Sequence, residues 1–239
     1  MRICLADDLP VNVAVIPARG GSKRIPRKNI KDFCGKPIIA YSIQAAQASN
    51  LFDHIVVSTD DDEIAAVAEK FGAEIPFERP PELADDQTTS RAVIAHAVSW
   101  FQHNWGPIDY VCSIYATAPL LQPDYLKAGL ELLKQHPDAD FTFSVTSYAF
   151  PIFRSLKQNP DGTVSMNWPE YELSRSQDLP ETWHDAGQFY WGRPAAFLDG
   201  RAMFSSRSYP VILPRTVVQD IDTLEDWNQA EKMFQAHSR

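Results

Sequence analysis

The 239-residue sequence is poor in cysteine and has no long apolar run, and each absence narrows the class of protein. Its three cysteines, Cys4, Cys34 and Cys112, are widely spaced and include no Cys-x-x-Cys metal or redox pattern. No window approaches the roughly 20 apolar residues that a membrane helix needs. Residues 1–10 contain two aspartates and no apolar core, which indicates a flexible tail rather than a signal peptide. We therefore expect a cytoplasmic protein with reduced thiols and no membrane contact.

The formal net charge is −9, but the basic residues are concentrated in one short stretch. Seven of the 22 lysines and arginines lie within 19–36, against a single acid, Asp32. This stretch follows an apolar run at 13–17, typical of a buried strand, and contains the pair Gly20 and Gly21, which permits a tight turn. A compact cationic loop on an acidic protein favours a small polyanionic ligand over nucleic acid.

The loop has neither of the familiar glycine-rich phosphate motifs, G-x-x-x-x-G-K-[ST] and G-x-G-x-x-G. Backbone N–H groups and Ser22 can still hold phosphate oxygens, while Arg19, Lys23 and Lys28 neutralise their charge. The alternative is a solvated basic turn after the first strand. The position of the loop directly after a buried strand favours phosphate binding.

Strand and helix patterns alternate through residues 11–146, which we interpret as a nucleotide-binding α/β core. The prediction is a Rossmann-like, mainly parallel sheet with helices on both faces. After the first strand, further strands are predicted at 54–59, 73–77, 110–115 and 141–146, and helices near 38–46, 60–71, 88–103 and 123–135. In such sheets ligands bind at the carboxyl ends of strands, so the basic loop, Asp60, Arg79 and Thr117 should converge on one edge.

An acidic triplet, residues 60–62, follows the predicted second strand and permits two interpretations. Three carboxylates suggest a metal site. However, Asp60 with Glu63 three residues later is typical of a helix N-terminus. We favour helix capping.

The alternation ends at residues 147–182, where turn residues at 159–162 predict a hairpin excursion from the core. A protruding aromatic element indicates a partner surface more often than a separate domain. We therefore predict a homodimer formed through this segment, with a self-packed flap as the alternative. The aromatic residues expected to be exposed are Phe150, Phe153, Trp168 and Tyr171.

Residues 183–239 are predicted to return to the core. A strand is predicted at 184–191, short strands at 211–213 and 217–219, and a final helix after residue 222. That helix has an apolar stripe. The stripe consists of Leu224, Trp227, Ala230, Met233 and Phe234.

Asp220 and Asp222 lie just before this helix, and both carboxylates can point to one spot as the chain turns. Two carboxylates beside a triphosphate are ligands that Mg²⁺ uses. The same residues also fit a capping box, Thr223-x-x-Asp226 or Asp222-x-x-Glu225. The pattern alone does not separate a metal site from a helix cap.

Residues 16–23, Ile-Pro-Ala-Arg-Gly-Gly-Ser-Lys, together with Lys28 and Asn29, resemble the signature loop of the CMP-sialic acid synthetases (acylneuraminate cytidylyltransferases). The resemblance extends over about residues 11–236. It implies the nucleotide-diphospho-sugar transferase fold and a dimer formed through the 147–182 insertion. It also implies magnesium-dependent transfer of CMP from CTP to an acidic nine-carbon sugar, with release of pyrophosphate.

The resemblance assigns roles to individual positions. Asp220 and Asp222 correspond to the residues that hold the catalytic metal, and catalytic roles fall on these two with Arg19 and Lys28. The implied nucleotide-binding residues are Ala18, Arg19, Gly20, Gly21, Ser22, Lys23, Lys28, Asn29, Arg79 and Ser90.

Two departures from the usual sialic acid pattern concern the sugar. Family members usually read Leu-Gln-Pro-Thr-Ser-Pro where this chain has Tyr115 in Ile-Tyr-Ala-Thr-Ala-Pro, and this chain instead carries Gln188 in Gly-Gln-Phe-Tyr-Trp. Together these runs resemble the pseudaminic acid branch. Exchanged polar side chains in a sugar pocket fit a nonulosonate of different stereochemistry, because mismatched buried polar groups reject the wrong isomer. Another nonulosonate, or a non-catalytic nucleotide-binding protein, remains as an alternative. The candidate sugar-binding residues are Thr117, Arg175, His184, Gln188 and Tyr190. For Arg175 the alternative is a solvated surface arginine, and for His184 it is a packed or capping histidine.

Overall fold

The computed structural model of the protein describes residues 11–85 and 87–237, so the tail expected at 1–10 lies outside the described residues. The strands are β1 (Val11–Pro17), β2 (Asp32–Phe33), β3 (Lys36–Pro37), β4 (His54–Ser58), β5 (Ile108–Ile114), β6 (Phe141–Ser147), β7 (Leu156–Gln158), β8 (Val164–Met166), β9 (Trp183–Gly192) and β10 (Ser208–Ile212). The helices are α1 (Ile38–Ser49), α2 (Asp62–Lys70), α3 (Ser90–Asn104), α4 (Pro123–Gln135), α5 (Pro194–Leu198) and α6 (Leu224–His237). In this part of the chain no helix has the length and apolar character needed to cross a bilayer.

Six strands form the central sheet in the order β10-β6-β9-β5-β1-β4. β1 pairs in parallel with β4 and β5, and β6 pairs in parallel with β10. β9 runs antiparallel between β5 and β6, because the chain re-enters the sheet from the excursion at the same edge that it left. The mainly parallel α/β sheet predicted from the sequence is confirmed. The carboxyl ends of β1, β4 and β5 and the start of β9 therefore share one edge.

The burial of β1 explains why the sheet is covered on both faces. Successive side chains of a strand point to opposite faces, and here both faces are apolar. Ala14 and Ile16 pack in a cluster with α1, α2 and α4. Val13 and Val15 pack in another with α3 and α5. The β-branched run that indicated a buried strand is thus the centre of two hydrophobic cores.

Three local predictions are wrong at residue level. Residues 73–77 do not form a strand, because Glu74 makes one bridge to Val56 and Pro76 then lacks the N–H that a ladder requires. Residues 217–219 do not form a strand either, since Pro214 is followed by a 3-10 turn, Arg215–Val217. Helix α2 is capped by Asp61, whose carboxylate accepts from the Ile64 N–H at 3.0 Å, and not by Asp60.

The excursion at 147–182 contains the predicted hairpin, with β7 and β8 paired antiparallel. Its aromatic residues are less exposed than expected. The Phe153 ring lies 5.6 Å from that of Trp168 and 5.0 Å from that of Tyr171, so these three are half-buried against one another. Phe150 is 83% exposed, as predicted, and Leu173 is 96% exposed. Whether the excursion forms a dimer stays a prediction.

Candidate active site

A cleft of about 290 Å³ lies at the edge where the carboxyl ends of β1, β4 and β5 meet. The basic loop after β1 supplies one wall, and the segments before α3 and after β5 supply the others. The cleft thus collects most of the side chains predicted to bind a nucleotide. Among its lining residues are Arg19, Ser22, Lys23, Lys28, Asn29, Arg79, Ser90 and Thr117.

The seven cations of the basic stretch have different partners. Arg19, Lys23, Arg24 and Lys28 line the cleft. The other three pack on the protein: Arg27 pairs with Asp61 and Glu63, Lys31 lies 4.5 Å above the Trp227 ring, and Lys36 donates to Gln44. Four of the seven cations therefore line the cleft, and the other three contact the surrounding protein.

Arg27 anchors the loop to the N-terminus of α2. Its guanidinium makes two hydrogen bonds to the Asp61 carboxylate, at 2.5 and 2.8 Å, and a third to Glu63 at 2.5 Å. The hydrogen bond from Arg27 lowers the pKa of Asp61 to about 2. Arg27 itself has a left-handed backbone, with φ of 55°. The bidentate pair holds that unfavourable turn in place.

The two glycines of the loop have different surroundings. The Gly20 N–H donates to Asp60 at 3.1 Å, and a Cβ at Gly20 would lie 2.6 Å from the Asp61 carboxylate. Nothing lies within 4 Å of a Cβ placed on Gly21. Gly20 is thus required by the α2 N-terminus, whereas Gly21 has open space around it. Asp60 and Asp61, two members of the acidic triplet, therefore help to fix the shape of the loop.

Three predicted nucleotide-binding residues are fixed by backbone contacts. Ala18 is buried and its N–H donates to the Ser58 carbonyl at 2.9 Å, so it supports the loop from beneath. Asn29 donates to the Arg19 carbonyl at 2.9 Å. Arg79 is 3% exposed, and its guanidinium donates to the hydroxyl and the carbonyl of Ser58. Burial lowers the pKa of Arg79, and the nearby Asp60 opposes that shift.

Asp222 contacts the basic loop directly, and it lines with Asp220 a hollow beside the cleft rather than the cleft itself. Asp222 Oδ1 lies 2.6 Å from Arg24 Nη2 and 3.7 Å from Lys28 Nζ, and Lys28 also donates to the Ile221 carbonyl at 2.6 Å. Lys28 and Ile221 are 193 residues apart in the chain. Burial and then repulsion from Asp222 raise the pKa of Asp220. The structure therefore brings the amino-terminal cations and the carboxy-terminal acids to one place.

A small hydrophobic cluster holds these two distant segments together. Ile221, between the two aspartates, is fully buried against Ile25 and Phe33, which follow the basic loop. Helix α6 adds Trp227, whose ring lies 5.4 Å from that of Phe33. Burial of the central isoleucine anchors the Asp-Ile-Asp run beside the loop.

The final helix is capped without the Asp222 carboxylate. Asp226 accepts from the N–H groups of Asp222 and Thr223 at 3.1 and 2.8 Å, and Thr223 Oγ1 accepts from the Asp226 N–H at 3.2 Å. This is the Thr223-x-x-Asp226 capping box, one of the two candidates in the sequence. The Asp222 carboxylate is therefore not the cap and contacts Arg24 and Lys28 instead.

A second, more apolar chamber of about 490 Å³ adjoins the cleft and shares Ser90 and Tyr115 with it. Tyr190 lies in its wall and donates a hydrogen bond from its hydroxyl to Asp185. Burial raises the pKa of both tyrosines, so both remain neutral hydrogen-bonding groups. The apolar walls are formed by Ile94, Phe197, Met203 and Phe204.

The predicted sugar-binding residues do not all lie together. Thr117 lines the cleft, Tyr190 lines the chamber, and His184 lines a neighbouring hollow that also contains Asp220 and Asp222. Gln188 is 3% exposed and donates to the Val217 carbonyl at 2.6 Å, so it supports the segment before Asp220 from within the fold. Arg175 lies on the excursion with its side chain 77% exposed and paired to Asp178.

Three residues of the site were not among the predicted ones. Arg24 was counted only as part of the charge cluster, although it makes the 2.6 Å contact to Asp222. Tyr115 was noted only as a departure from a family pattern, yet it borders both the cleft and the chamber. Asp185 accepts from Tyr190 and from the Gly187 N–H. A carboxylate beside a glycine in a buried strand is a weak sequence signal for it.

A cationic loop at the carboxyl edge of a mainly parallel sheet, with a carboxylate pair beside it, is typical of α/β proteins that bind nucleotide phosphates. The chain belongs to the cytidylyltransferase family, whose model, described as "Cytidylyltransferase", matches residues 13–224.

Curated relatives extend over nearly the whole chain. The pseudaminic acid cytidylyltransferase of Campylobacter jejuni subsp. jejuni serotype O:2 is 45% identical over 226 residues, which are 95% of this chain and 97% of that protein. The N-acylneuraminate cytidylyltransferase A of Danio rerio is 35% identical, over 92% of this chain and 50% of that protein. The CMP-N,N'-diacetyllegionaminic acid synthase of Legionella pneumophila is 30% identical, over 93% and 96%.

Solved structures agree on the fold. A CMP:2-keto-3-deoxy-manno-octonic acid synthetase complexed with CTP superposes with a TM-score of 0.69 at 17% identity, over 95% of this chain and 99% of that chain. A 4-diphosphocytidyl-2C-methyl-D-erythritol synthase from Anaerococcus prevotii gives a TM-score of 0.63 at 13% identity, over 95% and 99%. At such low identities the likeness concerns the fold alone.

Proposed function

We propose that this protein transfers a cytidylyl group from CTP to pseudaminic acid, an acidic nine-carbon sugar, and releases pyrophosphate. The choice of CTP and of the sugar is supported by the 45% identity to a pseudaminic acid cytidylyltransferase along almost the full length of both chains. The chemistry is supported by one contact above all, the 2.6 Å pair between Arg24 and Asp222. That contact joins the cations of the cleft to the carboxylates of the neighbouring hollow, so a polyphosphate in the cleft would lie close to both.

In the proposed reaction the basic loop binds the triphosphate. Arg19, Lys23 and Lys28 offset its negative charge, and Ser22 with the open backbone at Gly21 donates hydrogen bonds. The anomeric hydroxyl of the sugar attacks the α-phosphorus in line, and the bond from that phosphorus to the bridging oxygen of pyrophosphate breaks. The protein contributes positioning and charge stabilisation more than covalent chemistry.

Asp220 and Asp222 fit a Mg²⁺ site. In the described residues no group of three or more histidine, cysteine or acidic side chains could enclose a metal. Mg²⁺ needs less than that, since it is commonly held by one or two carboxylates together with waters and substrate phosphates. The raised pKa of Asp220, caused partly by repulsion from Asp222, is a cost that a bound cation would relieve. When bound there, Mg²⁺ would supply charge neutralisation at the phosphates.

The sugar is proposed to occupy the chamber next to the cleft. The shared wall of Ser90 and Tyr115 would place its reacting hydroxyl beside the α-phosphate. Tyr190 and Asp185 offer a hydrogen-bonding pair among apolar walls, as sites for small organic ligands commonly do. Thr117 lies in the adjoining cleft, and His184 lies in the hollow that shares Asp185 with the chamber.

We also propose a homodimer formed through the 147–182 excursion. Phe150 and Leu173 are 83% and 96% exposed, and exposed apolar side chains on such an excursion favour association. Arg175 lies on this same element, so its proposed contact with a sugar carboxylate would be made in the partner's site. Light scattering of Phe150→Ser with Leu173→Ser tests the dimer, with Leu224→Ser, an exposed change on α6, as the control.

The decisive experiment measures pyrophosphate release from CTP, UTP, ATP and GTP with a panel of nonulosonates. We expect release with CTP and pseudaminic acid and little with the other nucleotides. Release with CTP and only neuraminate or legionaminate would keep the chemistry and reject the sugar. Binding of CTP without release for any acceptor would instead indicate a non-catalytic nucleotide-binding protein.

A further inference from the structure

Residues 199–207, between α5 and β10, form a flap over the second chamber. The tip of the flap contributes Met203 and Phe204 to the chamber wall. Phe204 is 67% exposed, and its ring makes an edge contact with Phe143 at 5.3 Å. So little burial gives Phe204 only weak hydrophobic anchoring, whereas Met203 is half-buried and packs against the core. The position of the tip therefore depends on Met203 and on how the ends of the flap are held.

Both ends of the flap are held by one carboxylate, that of Asp140, which lies just before β6. Asp140 Oδ1 is 2.6 Å from Arg201 Nη1, and Oδ2 is 2.7 Å from Arg207 Nε. Arg207 Nη2 adds a bond to Oδ1 at 3.2 Å. Arg201 and Arg207 lie on either side of the tip, so the acid closes the base of the flap as a staple.

The Asp140 side chain is only 5% exposed, so these are shielded, charge-assisted contacts. Hydrogen bonds from Arg207 and then Arg201 lower the pKa of Asp140, which keeps it ionised at neutral pH. A backbone hydrogen bond joins the same two residues, since the Asp140 N–H donates to the Arg207 carbonyl at 2.8 Å.

The flap is also tied to the helix that borders the nucleotide cleft. Arg91 donates to the Arg201 carbonyl at 2.9 Å, and Arg91 itself lines the chamber. Arg91 directly follows Ser90, which the cleft and the chamber share. No residue of the flap lines the cleft, as far as the described residues show. The staple therefore bears on the chamber and not on the nucleotide-binding surface.

We infer that Asp140 is a positioning residue for the second substrate: by stapling Arg201 to Arg207 it holds Met203 and Phe204 in place as the wall of the chamber. The identity of that substrate, an acidic sugar, rests on the proposed function. Without the carboxylate, two cations lose their shared partner and repel each other, so the tip samples positions that leave the chamber open. The purely structural alternative is that the ion pairs only fasten β6 to β10, which would affect stability and not substrate binding.

The test compares Asp140→Asn with Asp138→Asn, a matched change at an exposed acid two residues away. We expect Asp140→Asn to raise the KM for the sugar about tenfold at saturating CTP, while the KM for CTP changes by less than about twofold. Amide hydrogen exchange in peptides that cover the flap should become faster in the same variant. Asp138→Asn should change none of these quantities.

An unchanged KM for the sugar in a folded Asp140→Asn protein would overturn the inference, as would a parallel rise in both KM values. If Asp140→Asn does not fold, Arg201→Gln removes one half of the staple and should give the same selective rise, smaller in size. If the wild-type protein has no turnover with any sugar, the proposed function fails. Flap exchange in the wild type and Asp140→Asn then still tests the staple, and equal exchange rates would reject it.

Discussion

Replacing Asp222 by alanine should remove turnover and leave the fold intact, whereas the same replacement at Asp226 should do the reverse. The two acids are four residues apart, and each belongs to one of the two capping boxes that the sequence permits. In the structure the Asp222 carboxylate contacts Arg24 and Lys28, while the Asp226 carboxylate accepts from two N–H groups and from the Thr223 hydroxyl. Each acid thus has one of the two roles.

The magnitudes follow from these contacts. The Asp222 side chain is 40% exposed, and ion pairs at such positions contribute about 0–1 kcal/mol, so its loss should barely change the free energy of unfolding. Loss of a charge stabiliser of the transition state should lower kcat by about 10² to 10³. Removing the Asp226 cap should cost about 0.5–2 kcal/mol of stability. Turnover by Asp226→Ala should stay within about tenfold of wild type, because its carboxylate faces the helix end.

Two assays separate these outcomes: pyrophosphate release at saturating CTP and sugar over a range of Mg²⁺ concentrations, and urea unfolding followed by circular dichroism. Asp222→Asn should be as inactive as Asp222→Ala, since the amide keeps the shape and removes the charge. Near wild-type turnover of either Asp222 variant in excess Mg²⁺ would refute the metal assignment. A collapse of turnover in a stable Asp226→Ala protein would refute the division of roles.

Three further predictions concern the basic loop. Gly20→Ala should lower the thermal unfolding midpoint, because its Cβ would lie 2.6 Å from the Asp61 carboxylate. Gly21→Ala has open space around its Cβ, so it should leave the midpoint unchanged. The same Gly21→Ala change should weaken CTP binding measured by calorimetry. Since Arg27 lowers the pKa of Asp61 from 3.8 to about 2, the stability that this pair contributes is present above about pH 4 and is lost as the pH falls toward 2. Arg27→Gln should therefore abolish about 1–2 kcal/mol of the difference in unfolding free energy between those two pH values, and an unchanged difference would contradict the assignment. Arg24→Ala should tighten Mn²⁺ binding to the nucleotide-free protein in calorimetry, because the arginine competes with a cation for the paired carboxylates; equal or weaker binding would show that no such competition exists.

Much of the fold could be predicted because its signals are local. The apolar run of β1, the amphipathic helices and the turn residues of the excursion each act within a few residues of the chain. The errors share one cause. Residues 73–77 looked like a strand by composition, yet sheet pairing is decided by what lies alongside, and there only Glu74 meets a partner strand.

The cap of α2 illustrates the same limit at the site. Asp60 and Asp61 are equivalent as capping residues in the sequence. Asp61 takes the cap and the salt bridge to Arg27, while Asp60 accepts from the Gly20 N–H. The salt bridge from Arg27 and the hydrogen bond from the Gly20 N–H each span more than 30 residues, so no local pattern could assign them. Gln188 was predicted as a sugar contact from the Gly-Gln-Phe-Tyr-Trp run, and in the fold its amide nitrogen donates to the Val217 carbonyl. Its contact with a sugar stays a prediction.

The sequence by itself determined which charges are present, since the density of cations after a buried strand and the paired aspartates before the last helix are properties of composition and order. Tertiary structure decided which of those charges act together. The burial of Ile221 against Ile25 and Phe33 places Asp222 within 2.6 Å of Arg24, and Asp226 takes the cap. The physical reason is that a charged side chain costs little free energy almost anywhere on a solvated surface. The distances between such charges are instead set by apolar contacts between segments far apart in the chain.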